Sequence, residues 1–582
     1  MIALLAVGAV TLGTLGLGTW GVRFARSTTD LLVASRAVTP WWNAAAISGE
    51  YLSAASFLGI AGLEMQDGVS ALWQSLGFTA GYLALLLFVA APLRRFGSYT
   101  IPDFAEARLG SAGLRLLAAG IVLLIGGFYL VPQLKGAGLA LGVVTGSPYW
   151  VGVVVVAVLV TVNVAIGGMR GITYVQAFQF WIKVFAISVP AIVLLLHFGG
   201  LPERSALFGR SWPTAGRAGL VVKLPAGERV EFPAAGSFAV DGRRVFVRAG
   251  GFVELPARVG VRIPAGGVVP VISSDKPLRG SAWGKPVGGD GRGGLLLVYS
   301  LLIATFLGTM GLPHILVRFY TNPDGHQARH TTVRVLGLLS LFYLFPAVYG
   351  ALGRVLAPQL YVTGATDNVV LQLPRIAWPG LPGEVLTAVT CAGAFAAFLS
   401  TSSGLLVSLA GTLSHDVWPR VRQSVPPGAA ARRRWFRVGA LLAVVIPAAV
   451  SLIARQVDIA VLVGFAFALA ASTFCPLFLL GIWWTGLTAR GAASGMLVGA
   501  VVATGLIAWG LAIGEPVSGA SALLAQPAVI SVPLAFLVMV GVSMWDPTRI
   551  DASPSMLALH APEGLGLRLA EEEDTGGRFA AR

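Results

Sequence analysis

Stretches of about twenty apolar residues, with little or no charge, follow one another along nearly the whole of this chain. A hydrocarbon core about 30 Å thick takes about 20 helical residues to cross. In lipid a backbone must also satisfy its own hydrogen bonds, which a helix does within one segment. The chain is therefore expected to be an all-α polytopic membrane protein. Thirteen spans can be drawn, at 1–21, 41–66, 69–92, 113–144, 149–167, 175–198, 294–313, 332–356, 384–413, 435–455, 459–485, 491–513 and 528–545. Of the 582 residues, 56% are hydrophobic and only 12% charged, well below the quarter charged in an average soluble domain. Cys391 and Cys475 lie inside apolar runs and read as core packing, not as a disulfide. The opening segment lacks a basic start and a clear cleavage site, so it reads as a retained span.

A net charge of +15 invites a nucleic-acid reading, which is rejected because most of the excess is arginine in loops between spans. Arg23, Arg26 and Arg36 follow the first span, Arg94, Arg95 and Arg108 the third, and Arg170 the fifth. Arg318, Arg329, Arg334, the cluster Arg420, Arg422, Arg432, Arg433, Arg434, and Arg490 fall on the same side. Cationic loops stay in the cytoplasm. The expected placement is thus the plasma membrane, amino terminus outside and carboxyl terminus inside.

Four regions follow. Residues 1–198 hold spans one to six, and 294–545 hold spans seven to thirteen. Between them, 199–293 is a long polar insertion that alternates β-branched and polar residues, punctuated by Gly, Pro and an Asp-Gly pair. That pattern reads as short hairpins, a small extracytoplasmic β module. The tail at 546–582 ends in "AEEEDTGGRFAAR" and reads as disordered. The chain shows no Walker-type phosphate loop and so no engine for ATP-driven pumping.

Polar residues at membrane depth are costly and point to function. Span two, "AAISGEYLSAASFLGIAG", carries Ser48, Gly49, Glu50, Ser53 and Ser56. A helix interrupted there exposes carbonyls that can bind a cation. Span nine carries the hydroxyl run Ser400, Thr401, Ser402, Ser403. Such oxygens are hard, neutral ligands suited to an alkali cation that must be released again. Span seven contains Gly308, Gly311 and Pro313, marking a second break. Two interrupted helices five spans apart point to an inverted-repeat transporter with its site at the midplane.

With these residues in view, the chain resembles the sodium:solute symporter family, and within it the acetate-type monocarboxylate branch. The matching pieces are "GEYLSAASFLGIAG", "SLGF", "YTIPDFAEARL", "YLVPQLKGAG", "GLPHILVRFYT", "LSHD" and "VGFAFALAASTFCPLFLLGIWW". The resemblance implies a five-plus-five inverted repeat with flanking helices. It also implies a sodium site made of the Gly49 and Leu52 carbonyls, the Ala397 carbonyl, and the Ser400 and Thr401 hydroxyls. Ser400 stands sixteen residues before Asp416 of "LSHD", as in family members with a sodium-binding Ser–Thr pair. Glu50 stands where acetate permeases tend to have aspartate, and is assigned to the site's electrostatics. Lys135 replaces an apolar residue of that branch. It could snorkel, pair with Glu50, or meet a substrate carboxylate.

The expected function is secondary active transport: sodium-coupled symport of a small organic anion, a short monocarboxylate such as acetate, by alternating access. Tyr51, Ser56, Gln133, Lys135 and Thr305 are the candidate substrate contacts, chosen on polarity and depth. Alternatives are symport of a neutral solute (an amino acid or sugar) and a transporter-like sensor working through the outer β insertion. The expected partners are the solute, sodium and membrane lipid, with no organic cofactor and no nucleic acid. No paired catalytic carboxylates, metal-spaced His cluster or nucleophile motif speaks for an enzyme, and His314 of "GLPH" reads as a structural helix-end residue.

Overall fold

The computed structural model describes residues 1–21, 38–209, 212–216, 219–223, 228–240, 243–255, 260–272, 279–287, 292–422, 429–454, 457–513, 524, 526–548 and 550–562. Arg23, Arg26, Arg36 and the terminal "AEEEDTGGRFAAR" lie outside them. The principal helices are α1 (Ile2–Gly21), α2 (Pro40–Tyr51), α3 (Ile60–Asp67), α4 (Leu72–Phe88), α5 (Ala112–Thr145), α6 (Tyr149–Phe198) and α7 (Arg292–Thr309). They continue as α8 (Pro313–Phe319), α9 (Gly325–Leu356), α10 (Leu381–Gly411), α11 (Ala429–Ile453), α12 (Ile459–Trp483), α13 (Ala489–Ile513) and α14 (Ala528–Trp545). Among the described residues, eleven helical stretches are long and apolar enough to cross a bilayer. The difference from thirteen has one physical cause: span two is cut into short halves. Spans five and six are continuous in α6.

Helix α6 has 50 residues, about 75 Å of axis, so it cannot be one straight crossing. A straight rod would hold Asn163 and Lys183 about 30 Å apart. Both nevertheless reach one turn of α10, Asn163 at Ser403 and Lys183 at Ser400, so α6 bends between them. Helices α10 and α12 form the centre, with most of their residues buried. The outer faces of α1, α11 and α14 instead expose Leu5, Leu12, Leu441, Ile446 and Leu537, the surface a lipid-facing helix needs.

Spans two and seven are both broken. The second break, Met310–Leu312, separates α7 from α8, which opens on Pro313. Proline is tolerated at a helix start because its missing N–H has no partner there. The insertion forms two antiparallel sheets. With β1 (Leu220–Lys223), β2 (Glu228–Glu231), β3 (Gly236–Val240), β4 (Arg243–Val247), β5 (Phe252–Leu255), β6 (Gly260–Ile263) and β7 (Val271–Ile272), their orders are β1-β6-β3-β4 and β5-β2-β7. Phe232 and Phe238 stack at 4.5 Å inside this module. It docks on the helices through Trp283, whose indole N–H donates to the Met65 carbonyl at 3.0 Å.

Two expectations are corrected here. The region after Trp545 does not begin as disordered chain. Ser553–His560 is a helix, with Leu559 fully buried and the His560 ring 2.8 Å from the Ile482 carbonyl. Nor are all the orienting arginines loop charges. Arg108 is fully buried and donates to the Gly481 (2.9 Å) and Trp484 (3.3 Å) carbonyls, capping the carboxyl end of α12. Arg318 is buried inside the bundle.

Candidate functional site

Helix α2 ends at Tyr51, and Leu52 leaves the helical region (φ −71°, ψ 84°). A π-helical turn at Ala55–Gly59 then leads into α3. The break lies three residues beyond Gly49, the residue expected to cause it. Gly49 serves another purpose: a Cβ there would stand 2.3 Å from the Gln176 carbonyl of α6, so glycine lets the two backbones touch. Breaking the helix frees acceptors that would otherwise take main-chain N–H groups. One freed donor, the Ala54 N–H, is met by Gln133 Oε1 of α5 at 2.8 Å. The freed Gly49 and Leu52 carbonyls face α6 and α10.

Four of the five expected sodium ligands come together here. Ser400 Oγ lies 2.8 Å from the Gly49 carbonyl and 3.0 Å from that of Ala397. The fifth, Thr401, turns aside, and its hydroxyl donates to the Glu50 carbonyl at 2.5 Å. Bonded to three of the four stands a group that the sequence did not mark out. Lys183 Nζ donates to the Gly49 carbonyl, to the Leu52 carbonyl at 2.7 Å and to Ser400 Oγ at 2.5 Å. Lys183 is fully buried. The signal was present in the sequence as a lone cation within the apolar run 171–198.

Glu50 does not pair with Lys135. Its Oε2 takes Arg318 Nε at 2.5 Å, and both side chains are only 1% exposed. Arg318 also donates to Thr173 Oγ1 at 2.7 Å and to Gln176 Oε1. Gln176 in turn donates to the Ser400 carbonyl at 2.8 Å. The "GLPHILVRFYT" arginine, counted as a cytoplasmic charge, therefore braces the broken helix against α6 and α10. A Cβ on Gly404 would fall 1.9 Å from Glu50 Oε1, so α10 needs a glycine where the carboxylate lies. Lys135 is held elsewhere, by Asp367 Oδ2 at 3.2 Å and the Val457 carbonyl at 2.5 Å. Asp367 also accepts the Ile459 N–H at the start of α12, so this pair ties helix ends together.

Beside the break lies an aromatic cluster. The Tyr51 ring meets Tyr82 at 4.8 Å, and Phe78 and Phe467 each at 6.1 Å. Tyr129 meets Phe467 at 5.9 Å and His314 at 5.0 Å. Of the expected substrate residues, Tyr51 is in this cluster, its hydroxyl hydrogen-bonded to the Phe78 carbonyl and Thr309, each at 3.0 Å. Ser56 pairs with the Tyr343 hydroxyl at 2.8 Å, and the Tyr343 ring packs on Phe78. Gln133 is used by Ala54, and Thr305 bonds back to Leu301 of its own helix at 2.7 Å. Two groups not expected to matter have spare capacity: the Tyr82 hydroxyl and both ring nitrogens of His314 are buried with no hydrogen-bond partner among the described residues. His314 lies one helical turn before Arg318 on α8.

A broken helix with carbonyls turned on a cation, matched by a second break five spans later, can be compared with known proteins. The model of the sodium:solute symporter family matches residues 31–209 and 293–499. The chain belongs to the sodium:solute symporter family. The unmatched stretch between the two segments is the β insertion. Membership makes the protein a sodium-coupled symporter, not an enzyme, with sodium as its coupling ion and no organic cofactor. An uncharacterized symporter, YwcA of Bacillus subtilis (strain 168), is 28% identical over 518 residues, 88% of each chain. A Na+-coupled sialic acid symporter solved in a substrate-bound outward-open state superposes with a TM-score of 0.67 at 14% identity, covering 94% of this chain and 98% of that one. Mhp1, a nucleobase-cation-symport-1 family transporter solved closed with bromovinylhydantoin bound, gives 0.50 at 13% identity, covering 92% and 100%. These likenesses establish the inverted-repeat transporter fold for this symporter.

Proposed function

We propose that this symporter carries a short-chain monocarboxylate such as acetate inward with sodium, across the plasma membrane, by alternating access. In this reading the amino terminus lies outside, the carboxyl terminus in the cytoplasm and the β insertion on the outer face. Sodium binds among the oxygens of Gly49, Leu52, Ala397, Ser400 and Thr401, and the solute binds in the adjoining aromatic cluster. One observation carries the reading: two freed carbonyls of α2 and a hydroxyl of α10 converge on a single buried cation. Neutral oxygens in that number suit a weakly held monovalent ion.

An anionic solute is supported by charge. Lys183 and Arg318 against Glu50 leave the buried cluster with a formal excess of one positive charge, which a carboxylate would offset. The unpaired Tyr82 hydroxyl and His314 ring supply polar groups to orient it, and the aromatic faces suit a small aliphatic body. The rings now pack on one another, so entry requires them to separate. Sodium binding that favours the opened arrangement raises solute affinity, and linkage makes the effect reciprocal.

Ligand-induced thermal stabilisation of the purified full-length protein in sodium tests the solute class. Acetate, propionate and pyruvate are expected to protect, and glucose and proline are not. Protection by the neutral solutes alone would overturn the assignment.

A further inference from the structure

Lys183 has no role in a sodium site made only of oxygens, yet it occupies the centre of this one. An ammonium has three N–H donors. All three are used, on Gly49, Leu52 and Ser400, which are three of the five groups read above as sodium ligands. An ion bound to those same oxygens would lie within the volume that Nζ fills, so the two cations cannot be present together. Charge points the same way. With Arg318 already paired to Glu50, sodium beside an unmoved lysine would put a second uncompensated positive charge in a site closed to water.

Resting on the reading of these oxygens as sodium's, we propose that Lys183 is a tethered occupant of the sodium site. Its ammonium and a sodium ion take the same oxygens in turn, and the lysine sets the apparent sodium affinity by competition. In the sodium-free protein it satisfies the Leu52 carbonyl, which would otherwise be buried without a partner, and adds a second donor to the Gly49 carbonyl that Ser400 already meets. Sodium then enters a site already shaped for a cation, and the lysine head withdraws on its flexible four-carbon stem. Buried acceptors without a partner among the described residues are Glu50 Oε1, because Arg318 takes only Oε2, and Gln179 Oε1, one turn earlier on α6. The polar brace of Gln176, Arg318 and Glu50 keeps α6 in place while the head moves.

The size of the effect follows from occupancy. If the ammonium fills the site nine-tenths of the time, sodium binds about tenfold more weakly than to an open site. The test is direct binding of radiolabelled sodium to the full-length protein in nanodiscs, at constant pH, with choline holding ionic strength constant. Lys183→Met keeps the length and removes the head, and sodium should bind it about tenfold more tightly than wild type. In Lys183→Ala, added methylammonium should compete with sodium and weaken its binding again, which a merely structural lysine would not allow. Equal or weaker sodium binding by a monodisperse Lys183→Met protein overturns the proposal. Should that variant aggregate, Lys183→Gln is read by the same criterion. Ser400→Ala separates the two readings. If it leaves sodium binding unchanged in the wild-type and Lys183→Met backgrounds alike, these oxygens are not sodium's, and the competition falls with them. If it weakens sodium binding while Lys183→Met fails to strengthen it, the site stands and only the competition is lost.

Discussion

Glu50→Gln is the perturbation whose consequence can be worked most fully. Glutamine keeps the size of the side chain and one carbonyl acceptor, and removes the negative charge of the Glu50–Arg318–Lys183 cluster. Arg318 Nε lies 2.5 Å from the carboxylate, and both residues are closed to solvent. Removing one partner of a buried pair costs about 3–5 kcal/mol, because the other charge stays behind. Coulomb's law agrees in size: unit charges about 4 Å apart at an effective dielectric of about 20 interact by about 4 kcal/mol. Arg318→Gln should cost a similar amount through the stranded Glu50. The double variant leaves neither charge alone and is expected to be milder than the sum of the singles by at least about 2 kcal/mol. The assay is denaturant-titrated unfolding in mixed micelles for all four proteins. Single losses below about 1 kcal/mol, or a double variant equal to the sum, would refute the brace assigned to this pair.

Gly49→Ala drives a methyl group to 2.3 Å from the Gln176 carbonyl; the helices must part, at about 1–3 kcal/mol, and sodium binding should fall in a direct binding assay. Tyr82→Phe and His314→Phe each remove the polar atoms that have no partner among the described residues, and are expected to raise the KM for the carboxylate about tenfold or more, the worth of one hydrogen bond to a charged group, without changing sodium affinity. Asp416 of "LSHD" is fully buried and accepts from Arg115 at 2.7 and 2.9 Å and from Thr100 at 3.1 Å; Asp416→Asn should cost about 3–5 kcal/mol of stability, read by unfolding in the same micelles. Trp283→Ala removes the indole that ties the insertion to Met65, and limited proteolysis should then cut the insertion faster while the helical bundle stays intact.

The membrane architecture was legible because lipid imposes long apolar runs, and the break in span seven carried glycine and proline. The exact break in span two was not. Glycine marked a close approach to Gln176, while the helix ends at Tyr51. The nearness of the Gly49, Leu52, Ala397 and Ser400 oxygens was anticipated through the serine run and the family resemblance, but neither the turning aside of Thr401 nor the place of Lys183 was. The contacts of Lys183 lie 131 to 217 residues away in sequence, and no local pattern says which helix an isolated cation faces. Arg318 was misplaced for a related reason. It lies just past a predicted span end, where a loop arginine and a buried brace look alike. Of the roles left open for Lys135, pairing with Glu50 is the one the structure excludes, because depth alone does not choose between carboxylates; Asp367 lies beside it, and Glu50 is already taken.

The central claim is sodium-coupled uptake of a short monocarboxylate through the site at the α2 break. The measurement that meets it most directly is radiolabelled acetate uptake into proteoliposomes, with sodium and proton gradients imposed separately. The account predicts accumulation driven by an inward sodium gradient and its loss in the Ser400→Ala, Thr401→Ala double variant. Equal uptake on a proton gradient without sodium, or unchanged sodium dependence in the double variant, would contradict it.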